Sequence, residues 1–130
     1  MPSPERRKHP RVAESVSCQV GWASRWASTR TINLSCGGVL CALTEPIPVM
    51  TKCAIRLEIP GPSSGRGSSP RQIRCVGVVV RQERSKVEQD PAPYRIAIYF
   101  SDLKPEDHRH LGEFILRSML KHDHRSPERD

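Results

Sequence analysis

Five short segments of this chain alternate apolar and polar side chains with a period of two. A cluster of proline, glycine or small polar residues ends each one. That period sends successive side chains to opposite faces of an extended backbone, so each segment can bury one face and leave the other in water. The first holds Val16, Cys18 and Val20 against Ser17, Gln19 and Gly21. A second strand region spans about Thr29 to Leu43 and is broken by Pro46 and Pro48. In Lys52 to Ile59, the side chains of Cys53, Ile55, Leu57 and Ile59 share one face. Ile73 to Arg81 carries Ile73, Cys75 and Val79 on one face and Val76, Val78 and Val80 on the other, a pattern that suits a strand covered on both sides. Tyr94 to Phe100 sets Ile96, Ile98 and Phe100 against Arg95, Ala97 and Tyr99. Trp22 and Trp26, near the end of the first strand and in the turn after it, are read as core or rim packing.

Beyond Pro105 the spacing changes. Proline suits the first helical position, and Glu106 and Asp107 suit the positive end of a helix dipole. Leu111, Phe114, Ile115 and Met119 then recur at helical spacing, widened by Leu116 and Leu120, which predicts one amphipathic helix over about 105–120. From Lys121 onward the sequence is charged and without apolar periodicity, and 121–130 is read as a disordered tail. Residues 1–12 hold three prolines and a basic cluster, and form an irregular, flexible arm. Pro60 to Pro70 is a Gly/Ser/Pro loop at the tip of a long hairpin.

Strands this short leave exposed edges unless the sheet closes on itself. With 130 residues there is material for one core only. The predicted fold is therefore all-β with one C-terminal helix: a small antiparallel β-barrel of five or six strands over 13–120, plugged or flanked by that helix.

Charge and composition narrow the function. No apolar run approaches the roughly 20 residues of a membrane span. The charged N-terminus has no hydrophobic segment behind it, so a cytoplasmic location without membrane insertion is the expectation. The five cysteines contain no C-x-x-C pair, and the histidines add no metal-ligand spacing, which predicts buried thiols and neither metal nor cofactor. Cys36 has no recognisable base and no nucleophile elbow around it, and no acid–base pair stands out, so no catalytic residue is assigned and the chain is read as a non-enzyme. A net charge of +7 implies an anionic partner.

Two stretches carry that partner's chemistry. Arg6, Arg7, Lys8 and Arg11 cluster in the arm, with Arg7 and Arg11 in an R-x-x-x-R arrangement. In an extended arm these two guanidinium side chains face the same way about 13 Å apart. Asn33-Leu34-Ser35-Cys36-Gly37-Gly38 then places two small polar side chains two residues apart, on one face of the second strand region, followed by a glycine pair that marks a bulge, a bend or a close approach.

An R-x-x-x-R arm, a strand, and then N-x-S-x-x-G on the next strand of a small barrel with a C-terminal helix resembles the PilZ domain family, receptors for the bacterial second messenger cyclic di-GMP. The likeness covers roughly residues 5–120. It implies that Arg7 and Arg11 bind guanine and phosphate, and that Asn33 contacts a guanine. Ser35 would help hold the ligand or the turn, Gly38 would keep the wall free of a clashing Cβ, and Arg6 would add a phosphate contact. An arginine fork suits both targets, since it bonds guanine O6 and N7 or two phosphate oxygens in parallel. One position departs from the pattern: Ala97 stands where the family often has glycine, ahead of Phe100.

By the same resemblance the ligand would order the arm and relay the signal to a downstream protein in motility, exopolysaccharide or secretion machinery. Two alternatives remain. One is a PilZ-like interaction adaptor that has lost its ligand, as Ala97 suggests. The other is a basic barrel for single-stranded nucleic acid, which wants exposed aromatic platforms. This chain has only two Trp, two Tyr and two Phe, so specific nucleic acid is not expected.

Overall fold

Hydrophobic alternation becomes barrel staves in the computed structural model, which describes residues 9–62 and 69–125. Strands β1 (Ser17–Trp22), β2 (Arg25–Leu34), β3 (Gly38–Leu43), β4 (Lys52–Ile59), β5 (Arg71–Arg84) and β6 (Tyr94–Asp102) precede one helix, α1 (Pro105–Arg125). The strands close in the order β1-β2-β3-β6-β5-β4, with β4 returning to β1, and every pairing is antiparallel. This is the antiparallel barrel with a C-terminal helix that the alternation predicts, closed by six strands.

Inward positions fill the barrel: Cys18 and Val20, Cys41, Ile55 and Leu57, Ile73 and Val79, Ile96 and Ile98 are all buried. Leu111, Phe114 and Ile115 of α1 join this core, so the helix contributes its apolar stripe to the barrel interior rather than standing apart. Its docking side is fixed by polar ties. Asp107 accepts from Arg71 Nε and Nη2 at 3.2 and 3.1 Å, Ser118 donates to Glu14 Oε2 at 2.6 Å, and Arg117 donates to the Pro60 carbonyl at 3.2 Å. These partners lie where β1 and β5 begin and β4 ends, which antiparallel pairing places at one end of the barrel. Leu116 and Leu120 stay exposed on the far side.

Several boundaries differ from the sequence expectation. The Thr29–Leu43 region is two strands with a turn between them. Trp26 belongs to β2 and not to a turn, because Ala23 and Ser24 alone, both at positive φ, make the β1–β2 connection. Its ring lies over Gly21, where a Cβ would stand 2.9 Å from the indole. Helix α1 continues to Arg125, so 121–125, expected in the tail, are helical: backbone hydrogen bonds outlast the apolar stripe. Four cysteines (18, 41, 53 and 75) are buried and Cys36 is half-buried, all as free thiols.

Candidate functional site

The Asn33–Gly38 stretch is a tight turn joining β2 to β3. The Ser35 hydroxyl accepts from the Gly37 and Gly38 amides at 3.0 and 3.2 Å, and the Ser35 amide donates to the Gly38 carbonyl at 3.0 Å. Ser35 is thus turned into the loop and largely buried. The expectation that Asn33 and Ser35 share one strand face fails here, because β2 ends at Leu34 and Ser35 already belongs to the turn. Gly38 is required by its neighbour. A Cβ there would collide with the Ile98 carbonyl oxygen of β6, which is backbone and cannot move aside.

Asn33 reaches the surface by a different device. The β2–β3 register shifts between Thr31 and Asn33, so Ile32 is an extra residue. Thr31 is buried, Ile32 and Asn33 both face outward, and Leu34 is buried again. A bulge of this kind re-aims the side chains that follow it. A second bulge lies three strands away, where β5 pairs with β6 through Val79↔Ile98 and then Arg81↔Ala97. Val80 is the extra residue, and Val80 and Arg81 are both exposed although Val79 is fully buried.

Between the bulges, paired residues form one row across four strands: Asn33↔Leu40, Leu40↔Ala97, Ala97↔Arg81. Three inter-strand steps make that row roughly 14 Å long. It is the floor of a cleft of about 530 Å³ that is also lined by His9, Arg11, Ser35, Gly37, Gly38, Val80 and Tyr99. Among the described residues no acidic side chain lines it, and neither Arg11 nor Arg81 has an ion-pair partner. The cleft is therefore a positively charged, open trough with a short apolar floor.

The arm enters at one rim. Val12 is buried and bridges Leu34 in both directions, N–H to carbonyl, at 2.9 Å each. Thr31 holds the next residues, its hydroxyl donating to the Glu14 carbonyl at 2.6 Å and accepting from the Val16 amide at 3.0 Å. His9 lies against Gly37, where a Cβ would stand 2.7 Å from the imidazole Cδ2, with the His108 ring of α1 edge-on at 6.4 Å.

Of the residues singled out in the sequence, the cleft brings Arg11, Asn33, Ser35 and Gly38 together. Arg6 and Arg7 lie outside the described residues. Ala97 sits at the centre of the floor, so its methyl group occupies room that glycine would leave open. Arg81, Tyr99, Val80 and His9 were not anticipated. Tyr99 alternates in phase with Ala97 along β6, which was the one available hint; Arg81 gave none, because only the bulge turns it outward.

Among the described residues no three His, Cys, Asp or Glu side chains converge where a metal ion could sit, and no helix is long and apolar enough to cross a membrane. The thiols are chemically quiet. Burial pushes Cys53 up to about 11 and Cys75 up to about 12, and raises Cys36 above its ordinary value. Hydrogen bonding to the Cys41 thiol, together with burial, pushes Cys18 far up as well.

Solved structures share this fold. The inhibitor of motility MotI/DgrA from Bacillus subtilis superposes with a TM-score of 0.77 at 19% identity, over 93% of this chain and 57% of that one. The PilZ domain of YcgR from Escherichia coli, solved with c-di-GMP, gives 0.67 at 18%, over 94% and 98%. YcgR from Escherichia coli in complex with c-di-GMP gives 0.69 at 16%, over 96% and 51%. The chain thus spans little more than half the length of MotI and of the longer YcgR chain, and at these identities the likeness is one of fold. No curated protein sequence matches it. Residues 5–117 match the PilZ domain, and the chain belongs to the PilZ domain family.

Proposed function

We propose that the cleft binds cyclic di-GMP and that the arm closes over the bound nucleotide. The observation that carries this reading is the convergence of two separate sequence motifs, through Arg11 on one side and Asn33, Ser35 and Gly38 on the other, on one cleft that no acidic side chain lines among the described residues. Two phosphates and two guanines need cations and paired donors. Arg11 is a guanidinium at the rim with no ion-pair partner among the described residues, and Asn33 offers an amide on the floor. Ser35 acts by holding the turn, and Gly38 by letting β3 lie close to β6. Arg7, with Arg6 as an additional phosphate contact, completes the arm. Both YcgR structures that share this fold hold the same dinucleotide.

The protein acts as a receptor without catalysis, cofactor or metal, in the cytoplasm. Ligand binding orders the arm beside the Ser35–Gly38 turn and α1, and the altered surface is read by a downstream protein in motility, exopolysaccharide or secretion machinery. Isothermal titration calorimetry with cyclic di-GMP tests the reading on wild type and Arg11→Ala. Binding by wild type and a loss of about tenfold or more in the variant support it; equal heats in both, or none in wild type, refute it. A ligand-free adaptor is the second reading. Ala97 favours it, because its methyl group stands on the cleft floor, and silent calorimetry together with retained partner binding would establish it.

A further inference from the structure

We infer that Arg81 and Tyr99 form a base-reading pair at the end of the cleft opposite Asn33, with Tyr99 as the stacking platform and the Arg81 fork on the guanine edge. The inference rests on the functional reading above and adds two residues that neither motif contains.

The β5 bulge is the first support. A strand of strict alternation that buries Ile73, Cys75, Gly77 and Val79 would also point residue 81 into the core. The extra Val80 sends the arginine outward instead, onto a surface where it has no acidic partner among the described residues. Strand pairing does not need this bulge, and bulges concentrate where a side chain must be aimed. Symmetry of placement is the second support. The bulge at Ile32 does the same for Asn33, so both ends of a single cross-strand row carry an outward polar group able to make paired hydrogen bonds. A dinucleotide has two bases, and a floor roughly 14 Å long separates these two groups.

Tyr99 supplies the aromatic surface. It is 55% exposed, lines the cleft, and pairs with Gly38 on one side and Val78 on the other. Gly38 has no side chain to cover the ring, and Val78 is short. Ala97, two residues earlier on the same face of β6, is paired with Arg81, so Tyr99 and Arg81 stand one diagonal step apart. A base resting on the Tyr99 ring presents its edge to such a neighbour, and an arginine can bond guanine O6 and N7 together where adenine offers a donor in place of O6.

Calorimetry with cyclic di-GMP and cyclic di-AMP tests the pair on wild type, Arg81→Gln, Arg81→Lys, Tyr99→Leu and Tyr99→Phe, with Arg11→Ala as the arm control. Both side chains are exposed, and unchanged thermal melts confirm that the variants fold. Arg81→Gln is expected to weaken cyclic di-GMP by about ten- to hundredfold and to narrow its advantage over cyclic di-AMP. Lys at 81 should not restore it, because it keeps the charge without the fork. Tyr99→Leu is expected to cost about tenfold and Tyr99→Phe to bind as wild type. Wild-type affinity in Arg81→Gln and Tyr99→Leu, with Arg11→Ala impaired, overturns this inference and leaves the functional reading standing. Full rescue by Lys reduces Arg81 to a point charge and overturns base reading by it. No binding by wild type overturns both together.

Discussion

Asn33 and Arg81 occupy the two ends of one paired row across β2, β3, β6 and β5, and a one-residue bulge immediately precedes each of them. Neither side chain would face water in an unbroken strand. The cleft is thus a product of two register defects at its two ends, distinct from the β5–β6 shift between Val76 and Gly77, and the floor between them, Leu40 and Ala97, is what regular pairing leaves behind.

Asn33→Ala should separate binding from folding. The side chain is half-buried and makes no hydrogen bond with the described residues, so its loss should leave Tm within a degree or two while reducing cyclic di-GMP affinity by about tenfold or more. Paired melting curves and titrations check this; a matching loss of stability would make Asn33 a structural residue.

Gly38 and Ser35 should behave in the opposite way. Gly38→Ala drives a methyl group into the Ile98 carbonyl, and overpacking of this kind costs about 1–3 kcal/mol or more. Ser35→Ala removes the acceptor of the Gly37 and Gly38 amides, at about 1–2 kcal/mol. Denaturant titration reads both. Any affinity loss in these variants should track the stability loss, a correlation that Asn33→Ala lacks.

The β1–β2 turn offers a stabilising change. Ala23 and Ser24 sit at φ 50° and 63°, the left-handed region that a two-residue hairpin of this type demands and that Asn-Gly adopts with less strain. Replacing the pair by Asn-Gly should add about 1–2 kcal/mol of stability without touching the cleft. Urea denaturation would show it as a higher midpoint at unchanged slope.

Alkali should destabilise the fold through its thiols. Cys53 and Cys75 titrate near 11 and 12 when folded because burial disfavours the thiolate, against an ordinary value of 9.0. Above pH 9 the unfolded chain releases protons that the folded chain retains, so stability is full below about pH 9 and falls as pH rises towards 12. The Cys53→Ala, Cys75→Ala double variant should show a shallower decline over that window, measured relative to its own stability at pH 7. At pH 8, a thiol reagent should modify Cys36 first, because the other four cysteines are buried.

Each element is legible in the sequence to the extent that its signal is local to one segment. Lys52 to Ile59 was read to the residue, since its alternation is unbroken and a proline ends it. The helix start is marked by Pro105 and the acidic pair after it, but only to within a few residues, because Lys104 is a poor N-cap. Its end is not marked: 121–125 carry no apolar side chain, so the pattern stops while the backbone continues. From sequence the Ser35–Gly38 turn reads as a bend within one strand, because its sharpness comes from a serine hydroxyl holding two amides, an interaction that composition does not reveal. The bulges at Ile32 and Val80 were invisible for a deeper reason. A bulge is a mismatch between two strands, and neither strand alone records it. Hence Asn33 was found through its motif, whereas Arg81, in an undistinguished Val-Val-Arg run, was missed.

The Val12–Leu34 bridge has a consequence for how strongly a small ligand can be held. It ties the arm to the strand that carries Asn33, so Arg11 is one residue from a fixed point and Arg7 only four further. If the cleft binds a nucleotide as proposed, the arginines would be presented to it as parts of the same molecule, at an effective concentration of about millimolar or above for so short a tether. Two weak half-sites would then act as one tight site without a deep pocket. Cutting that tether, by supplying residues 1–11 as a separate peptide, should lose most of the affinity even though every contacting side chain is still present.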